Sequence, residues 1–122
     1  MPKIAYVNVY TRDLPAAVHF FADQVGLDRI SVDADHGYAS FAAGAVQLGV
    51  AQVEEDQAAL VGRHTGIGFG VDDLEAEYRR LCELGVAFES PPERFPWGGF
   101  MAVLRDPDGN LYYLDEVAAA HG

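Results

Sequence analysis

Two stretches of the chain alternate apolar residues with a second class of residue, and each runs into an Asp-Leu pair. Tyr6 to Thr11 leads to Asp13-Leu14, and Gly66 to Val71 leads to Asp73-Leu74, with the two aspartates sixty positions apart. After each pair the apolar period lengthens from two to between three and four, the spacing of one helix face. In the first half Leu14, Ala17, Val18, Phe21 and Val25 follow Asp13 as N-cap and Pro15 in the first turn, and Gly26 stops them, predicting a helix over 14–25. In the second, Leu74, Tyr78, Leu81, Cys82 and Leu84 run to Gly85, and Asp72 and Glu75 have capping-box spacing. Strands are predicted at about 3–11, 28–34, 38–43, 45–53, 65–71, 86–90, 99–105 and 111–117. The order is strand, helix, three strands, twice, an α+β duplication.

The expected organisation is a single domain over 1–122. Module one covers about 1–53, a polar linker about 54–63, and module two about 64–122. Asp106-Pro107-Asp108-Gly109-Asn110 reads as a turn joining two strands as a hairpin, because proline fixes one dihedral and glycine supplies a positive one. Two repeats are too few for a solenoid, so the pair is expected to fold side by side around a shared groove.

Strand side chains alternate, so each strand divides into two faces. Ala5, Val7, Val9, Val46, Leu48, Val50, Ile67, Phe69, Val71 and Leu114 form an apolar set expected under the helices. The opposite set is Tyr6, Asn8, Tyr10, Gln47, Gly49, Ala51, Gly66, Gly68, Gly70, Tyr113 and Asp115, which is polar, aromatic or empty. Three alternate glycines cost backbone entropy and offer no packing surface. Either a ligand or a large side chain covers them, or the strand packs closely or is solvated.

Composition narrows the function. Half of the 122 residues are hydrophobic, enough for a core, and no apolar run reaches the ~20 residues of a membrane span. The start lacks a secretory signal pattern, so the default location is cytoplasmic. A net charge of −11, from 19 acidic and 8 basic residues, argues against nucleic acid and favours a cationic small molecule, or serves solubility alone. Cys82 is the single cysteine and reads as packing. No phosphate loop, Cys-x-x-Cys pair, His-Glu-x-x-His helix or nucleophile elbow occurs.

The duplicated plan, the Asp-Leu helix entries, the helix-ending glycines and the Asp106 to Asn110 turn together resemble the vicinal oxygen chelate superfamily over essentially the whole chain. That family includes glyoxalase I, extradiol dioxygenases, fosfomycin-modifying enzymes and the metal-free bleomycin and mitomycin binding proteins. The resemblance implies two tandem βαβββ modules in a cupped mixed sheet, helices on the convex side, and a homodimer. Its enzymes hold a divalent metal at four strand positions, which fall here on Tyr6, Gln47, Gly66 and Tyr113. Only Gln47 among them is a suitable donor, whereas such an ion needs about three or four converging N, O or S atoms. No metal and no cofactor are therefore expected. A shifted site of His64, Gln47 and Asp115 is the rival, although two residues displace a donor by about 6–7 Å along a strand. His19, His36 and His121 read as structural, solvent-facing or in the tail.

The segment from Glu93 to Phe100, which leads on through Met101, resembles the Pro-Trp-Gly segment of the antibiotic-binding branch, where an aromatic stacks on a planar drug. Trp97 is the only tryptophan, and the alternative is that it plugs a core or a dimer interface. The expected ligand-binding set is Tyr6, Asn8, Phe41, Gln47, Gly66, Gly68, Trp97, Met101, Tyr113 and Asp115. Asp115 either pairs with an arginine such as Arg63 or Arg105, or meets a cationic group, or acts as a base. The implied function is metal-free binding that sequesters a planar drug or natural product, cationic or not. The alternatives are a metal-dependent lyase or dioxygenase with the shifted site, and a metal-free tailoring enzyme.

Overall fold

The computed structural model describes residues 1–117. Its chain contacts divide into two units, Met1–Gly62 and Arg63–Gly122, each with the order strand, helix, three strands. The first contains β1 (Tyr6–Thr11), α1 (Leu14–His19), β2 (Asp28–Asp33), β3 (Tyr38–Ala43) and β4 (Val46–Gln52). The second contains β5 (His64–Val71), α2 (Leu74–Glu83), β6 (Phe88–Arg94), β7 (Phe100–Arg105) and β8 (Leu111–Glu116). Each forms a four-stranded mixed sheet, ordered β1-β4-β3-β2 and β5-β8-β7-β6. The first strand lies parallel to the last in both, and the remaining pairs are antiparallel. The fold is thus two tandem βαβββ modules of the α+β class.

The duplication extends to single hydrogen bonds. Asp13 accepts from the Ala16 amide at 3.2 Å and Asp73 from that of Ala76 at 3.1 Å, so both helices are capped at the same repeat position. Asp73, not Asp72, is therefore the cap of α2. The next amide, Leu14, donates to Gln52 Oε1 at 2.9 Å, and its counterpart Leu74 donates to Glu116 Oε1 at 3.2 Å. These side chains from the last strand satisfy helix-start donors that would otherwise have no intrahelical partner.

One helical stretch runs over 14–25, but its second half, Phe20–Val25, is π-helical. The wider turn brings the consecutive rings of Phe20 and Phe21 into the core, 4.9 Å apart and edge to face. Gly26 closes it with φ +93°, and Phe21 O accepts from the amides of both Gly26 and Leu27. Phe20, Phe21, Leu14 and Ala17 pack with Phe41, Leu48, Val50 and Val9 in the first unit. Leu74, Leu81, Ala102, Leu104, Tyr112 and Leu114 form the buried set of the second. Cys82 is exposed rather than packed, because the buried α2 positions are Leu74 and Leu81 and it falls beside that stripe.

Two features differ from the sequence expectation, and the hairpin turn agrees with it. The linker contains a 3-10 helix, Glu55–Leu60, closed by a capping box between Glu54 and Gln57. Strand β6 runs through Pro91-Pro92 to Arg94, because it is an edge strand whose register against β7 shifts twice, leaving room for residues without an amide donor. The Asp106 to Asn110 turn closes the β7–β8 hairpin, with Gly109 at φ +83°. No helix among the described residues is long and apolar enough to cross a membrane.

Candidate functional site

Register decides which side chains share a face. In the first unit Tyr6 lies opposite Gln47, Asn8 opposite Gly49 and Tyr10 opposite Ala51, so the expected polar and aromatic face is assembled as the alternation requires. Strand β3 adds Tyr38 and Ser40, which pair with Ala51 and Gly49. The Tyr38 hydroxyl donates to Asn8 Oδ1 at 3.0 Å directly across Gly49, where a Cβ would lie 2.1 Å from that hydroxyl. The glycine is needed for this contact, and the Asn8 amide keeps its two N–H donors for other partners. Tyr6 is 61% exposed and Gln47 is exposed.

Phe41 does not belong to that face. It pairs with Leu48, is fully buried, and its ring meets Phe21 at 5.7 Å beneath the helix. The period of two within 38–43 puts Tyr38 and Ser40 on the polar side and hands Phe41 to the core.

In the second unit Gly68 lies opposite Tyr113 and Gly70 opposite Asp115, while Met101 and Val103 on β7 pair with Asp115 and Tyr113. Gly68, Gly70, Tyr113 and Asp115 therefore share one face, as expected, and Met101 joins them. Gly66 departs from it. The β5–β8 register shifts between His64 and Gly68, and Gly66 takes φ +75° within this irregularity, outside regular pairing. Side chains of β8 and of the residue that follows it account for the other two glycines. Asp115 Oδ2 lies 3.1 Å from where a Gly68 Cβ would stand, and the Val117 methyls lie 3.2 and 3.3 Å from the equivalent point on Gly70.

The bulge also orients His64. Its Nδ1 accepts from the Gly66 amide at 3.0 Å, which leaves the proton of the neutral ring on Nε2. The ring packs on Tyr113 with centroids 4.5 Å apart. Asp115 has neither of the arginine partners anticipated for it, since Arg105 pairs with Glu89, and among the described residues its carboxylate joins no hydrogen bond or ion pair. Burial without compensation pushes its carboxyl above the usual range.

Trp97 lies in the β6–β7 loop, 69% exposed and stacked on Phe95 at 5.5 Å with 14° between the planes. Its six-membered ring covers Gly99, where a Cβ would lie 2.2 Å away. The Arg94 guanidinium sits 4.1 Å over the Phe100 ring in the same hairpin. A cavity of about 410 Å³ lies in the first unit between α1 and β2, lined by Leu14, Pro15, Val18 and Val32 with the His19–Asp23 pair. None of the residues expected to bind ligand lines it.

The four positions that the family resemblance gives to metal ligands do not fit a metal ion. Tyr6, Gln47 and Tyr113 supply two phenols and one amide, Gly66 supplies no side chain, and Gly66 is displaced from pairing with Tyr113. His64 pairs with Leu111, four β8 positions from Asp115, which is about 13 Å along a strand with Tyr113 between. Among the described residues no group of three His, Cys, Asp or Glu side chains converges. His36 pairs with Asp33 in the β2–β3 loop, and His121 lies outside the described residues.

Residues 3–113 match the family described as the Glyoxalase/Bleomycin resistance protein/Dioxygenase superfamily. Over 120 residues the chain is 28% identical to the uncharacterized protein YraH of Bacillus subtilis, covering 89% of this chain and 94% of YraH. Its fold is similar to that of a superfamily member from Sphaerobacter thermophilus, with TM-score 0.82, 26% identity, and 96% and 98% of the two chains covered. It is likewise similar to TnmS3, an antibiotic binding protein from a Streptomyces species, with TM-score 0.80, 27% identity, and 97% and 98% covered. The chain belongs to the glyoxalase/bleomycin resistance protein/dioxygenase superfamily.

Proposed function

We propose that this chain is a metal-free small-molecule-binding protein that sequesters a planar organic guest, a drug or natural product, and acts in the cytoplasm as a homodimer. The observation that carries this reading is the face of the second unit. Tyr113 and Met101 supply flat and polarizable surface there, Gly68 leaves the backbone low, and the His64 Nε2–H and the Asp115 carboxylate offer one donor and one acceptor that have no partner among the described residues. A few directional polar groups on a largely apolar or aromatic surface are what orient a small organic ligand. In the first unit, Tyr6, Asn8 and Gln47 offer the same mixture of ring and amide. The exposed indole of Trp97, held flat by Phe95, supports stacking on an aromatic guest. The likeness to TnmS3 supports an antibiotic-like guest.

Metal-free action is inferred from donor chemistry. Glycine and two tyrosines at the family's ligand positions cannot clasp a divalent ion. The test is a fluorescence titration of the single tryptophan with planar natural products, combined with recovery and mass analysis of the compound and metal determination on the purified protein. Saturable quenching with the compound recovered unchanged supports sequestration. A stoichiometric transition metal, or consumption of the compound, refutes it.

A metal-free tailoring enzyme is favoured by one observation, the carboxyl of Asp115, which burial raises toward the range of a general base. Turnover lost on Asp115→Asn would identify it.

A further inference from the structure

Asp115 is a half-buried carboxylate whose position is set by the strand opposite. Its partner in the β5–β8 ladder is Gly70, yet its Oδ2 leans toward Gly68, into the space that a side chain on β5 would occupy. Every other residue type at position 68 would put a Cβ 3.1 Å from that oxygen, tighter than ordinary contact. The carboxylate is thus laid down on the sheet beside Tyr113 rather than standing out into solvent. Of the five arginines of the same unit, three are engaged elsewhere, Arg105 with Glu89, Arg80 with Glu77 and Arg94 over the Phe100 ring, and among the described residues neither Arg63 nor Arg79 forms an ion pair with Asp115. A partly desolvated carboxylate without a cation costs free energy that a cationic ligand recovers on binding. The surrounding charge of −11 also concentrates cations near the protein.

We propose that Asp115 is the charge-selecting group of the ligand site and receives a protonated or quaternary nitrogen of the planar guest, with Gly68 as the positioning residue that lets the carboxylate lie against the sheet. This rests on the small-molecule reading above and specifies its substrate class as cationic aromatic compounds. Charge-assisted contacts in partly desolvated sites are about twice as strong as neutral ones, so a cation should be preferred over a neutral ligand of the same shape by roughly tenfold or more.

The experiment compares N-methylacridinium, a permanent planar cation, with neutral acridine near neutral pH, by calorimetric titration of the full chain. The expected result is a cation-to-neutral affinity ratio of roughly ten or above in the wild type. That ratio should fall toward one in Asp115→Asn and fall clearly in Gly68→Ala, with circular dichroism confirming folded protein. Asp72→Asn, which removes an exposed charge from the same unit, should keep the wild-type ratio. A ratio retained in Asp115→Asn, or lost equally in Asp72→Asn, overturns the proposal, the latter because general charge attraction then explains it. Binding of acridine without cation preference overturns this inference but leaves the small-molecule reading standing. Binding of neither dye overturns both.

Discussion

Replacing Tyr112 by phenylalanine removes a single oxygen from the most enclosed polar cluster of the second unit. Tyr112 has no exposed surface, and its hydroxyl donates to Asp106 Oδ2 at 2.6 Å. The same carboxylate accepts from Asn110 Nδ2 at 2.9 Å and from the amides of Asn110 and Asp108 at 3.0 and 2.9 Å. A hydrogen bond to a charged acceptor contributes ~1.5–3 kcal/mol, and three surviving donors keep the carboxylate partly satisfied, so a loss of about 2 kcal/mol is expected. For a chain of this length that lowers Tm by about 8 °C, and the denaturant midpoint should fall without a change in m. Burial raises the folded-state pKa of Asp106 above its unfolded value, while the Tyr112 hydrogen bond opposes that rise. The stability linked to this group is therefore fully present below the unfolded pKa and declines as pH rises through the folded one. Without the Tyr112 hydroxyl the folded pKa moves higher still. The phenylalanine penalty is then largest at neutral pH and shrinks as acid protonates Asp106. Urea denaturation of both proteins at neutral pH and again in mild acid measures this. A loss under about 0.5 kcal/mol, or one that grows on acidification, refutes the reasoning.

Asp73→Ala should cost about 1 kcal/mol by uncapping α2, whereas Asp72→Ala should stay within about 0.5 kcal/mol; equal effects in denaturation would show that the cap is misassigned. Leu74→Ala at a fully buried position should cost about 2–5 kcal/mol by the same assay. Gly49→Ala drives a methyl into the Tyr38–Asn8 hydrogen bond and should cost about 1–3 kcal/mol, with a smaller penalty when Tyr38 is already phenylalanine; an unchanged penalty in that double-mutant cycle would exclude the contact as its cause. Trp97→Ala should weaken binding of a planar aromatic ligand by about 1–3 kcal/mol while leaving the denaturant midpoint almost unmoved, and wild-type affinity would exclude stacking as its role.

The faces of the sheets, and so the placement of the candidate site residues, were legible in sequence where a regular ladder carries the alternation. Tyr6, Asn8 and Gln47 on one unit, and Gly68, Tyr113 and Asp115 on the other, fall where counting by twos puts them. Phe41 was misplaced because an aromatic residue in a short strand is equally consistent with either face until the register against β4 is known. Gly66 was misplaced because a bulge breaks the count, and glycine there signals the bulge as readily as a cradle.

From its sequence alone the chain specified a doubled strand-helix-three-strand unit, the two helix starts, the closing hairpin turn and two chemically different sheet faces, because these follow from local periodicity, capping and turn residues. Tertiary structure decided what fills the glycine strand, with Asp115 over Gly68 and Val117 over Gly70, how Gly66 fixes His64, and that the Asp115 carboxylate has no partner among the described residues. Those outcomes depend on which residues become neighbours across a ladder many positions apart in the chain. Pairing between distant strands, with its bulges, is fixed only when the whole sheet closes over its core.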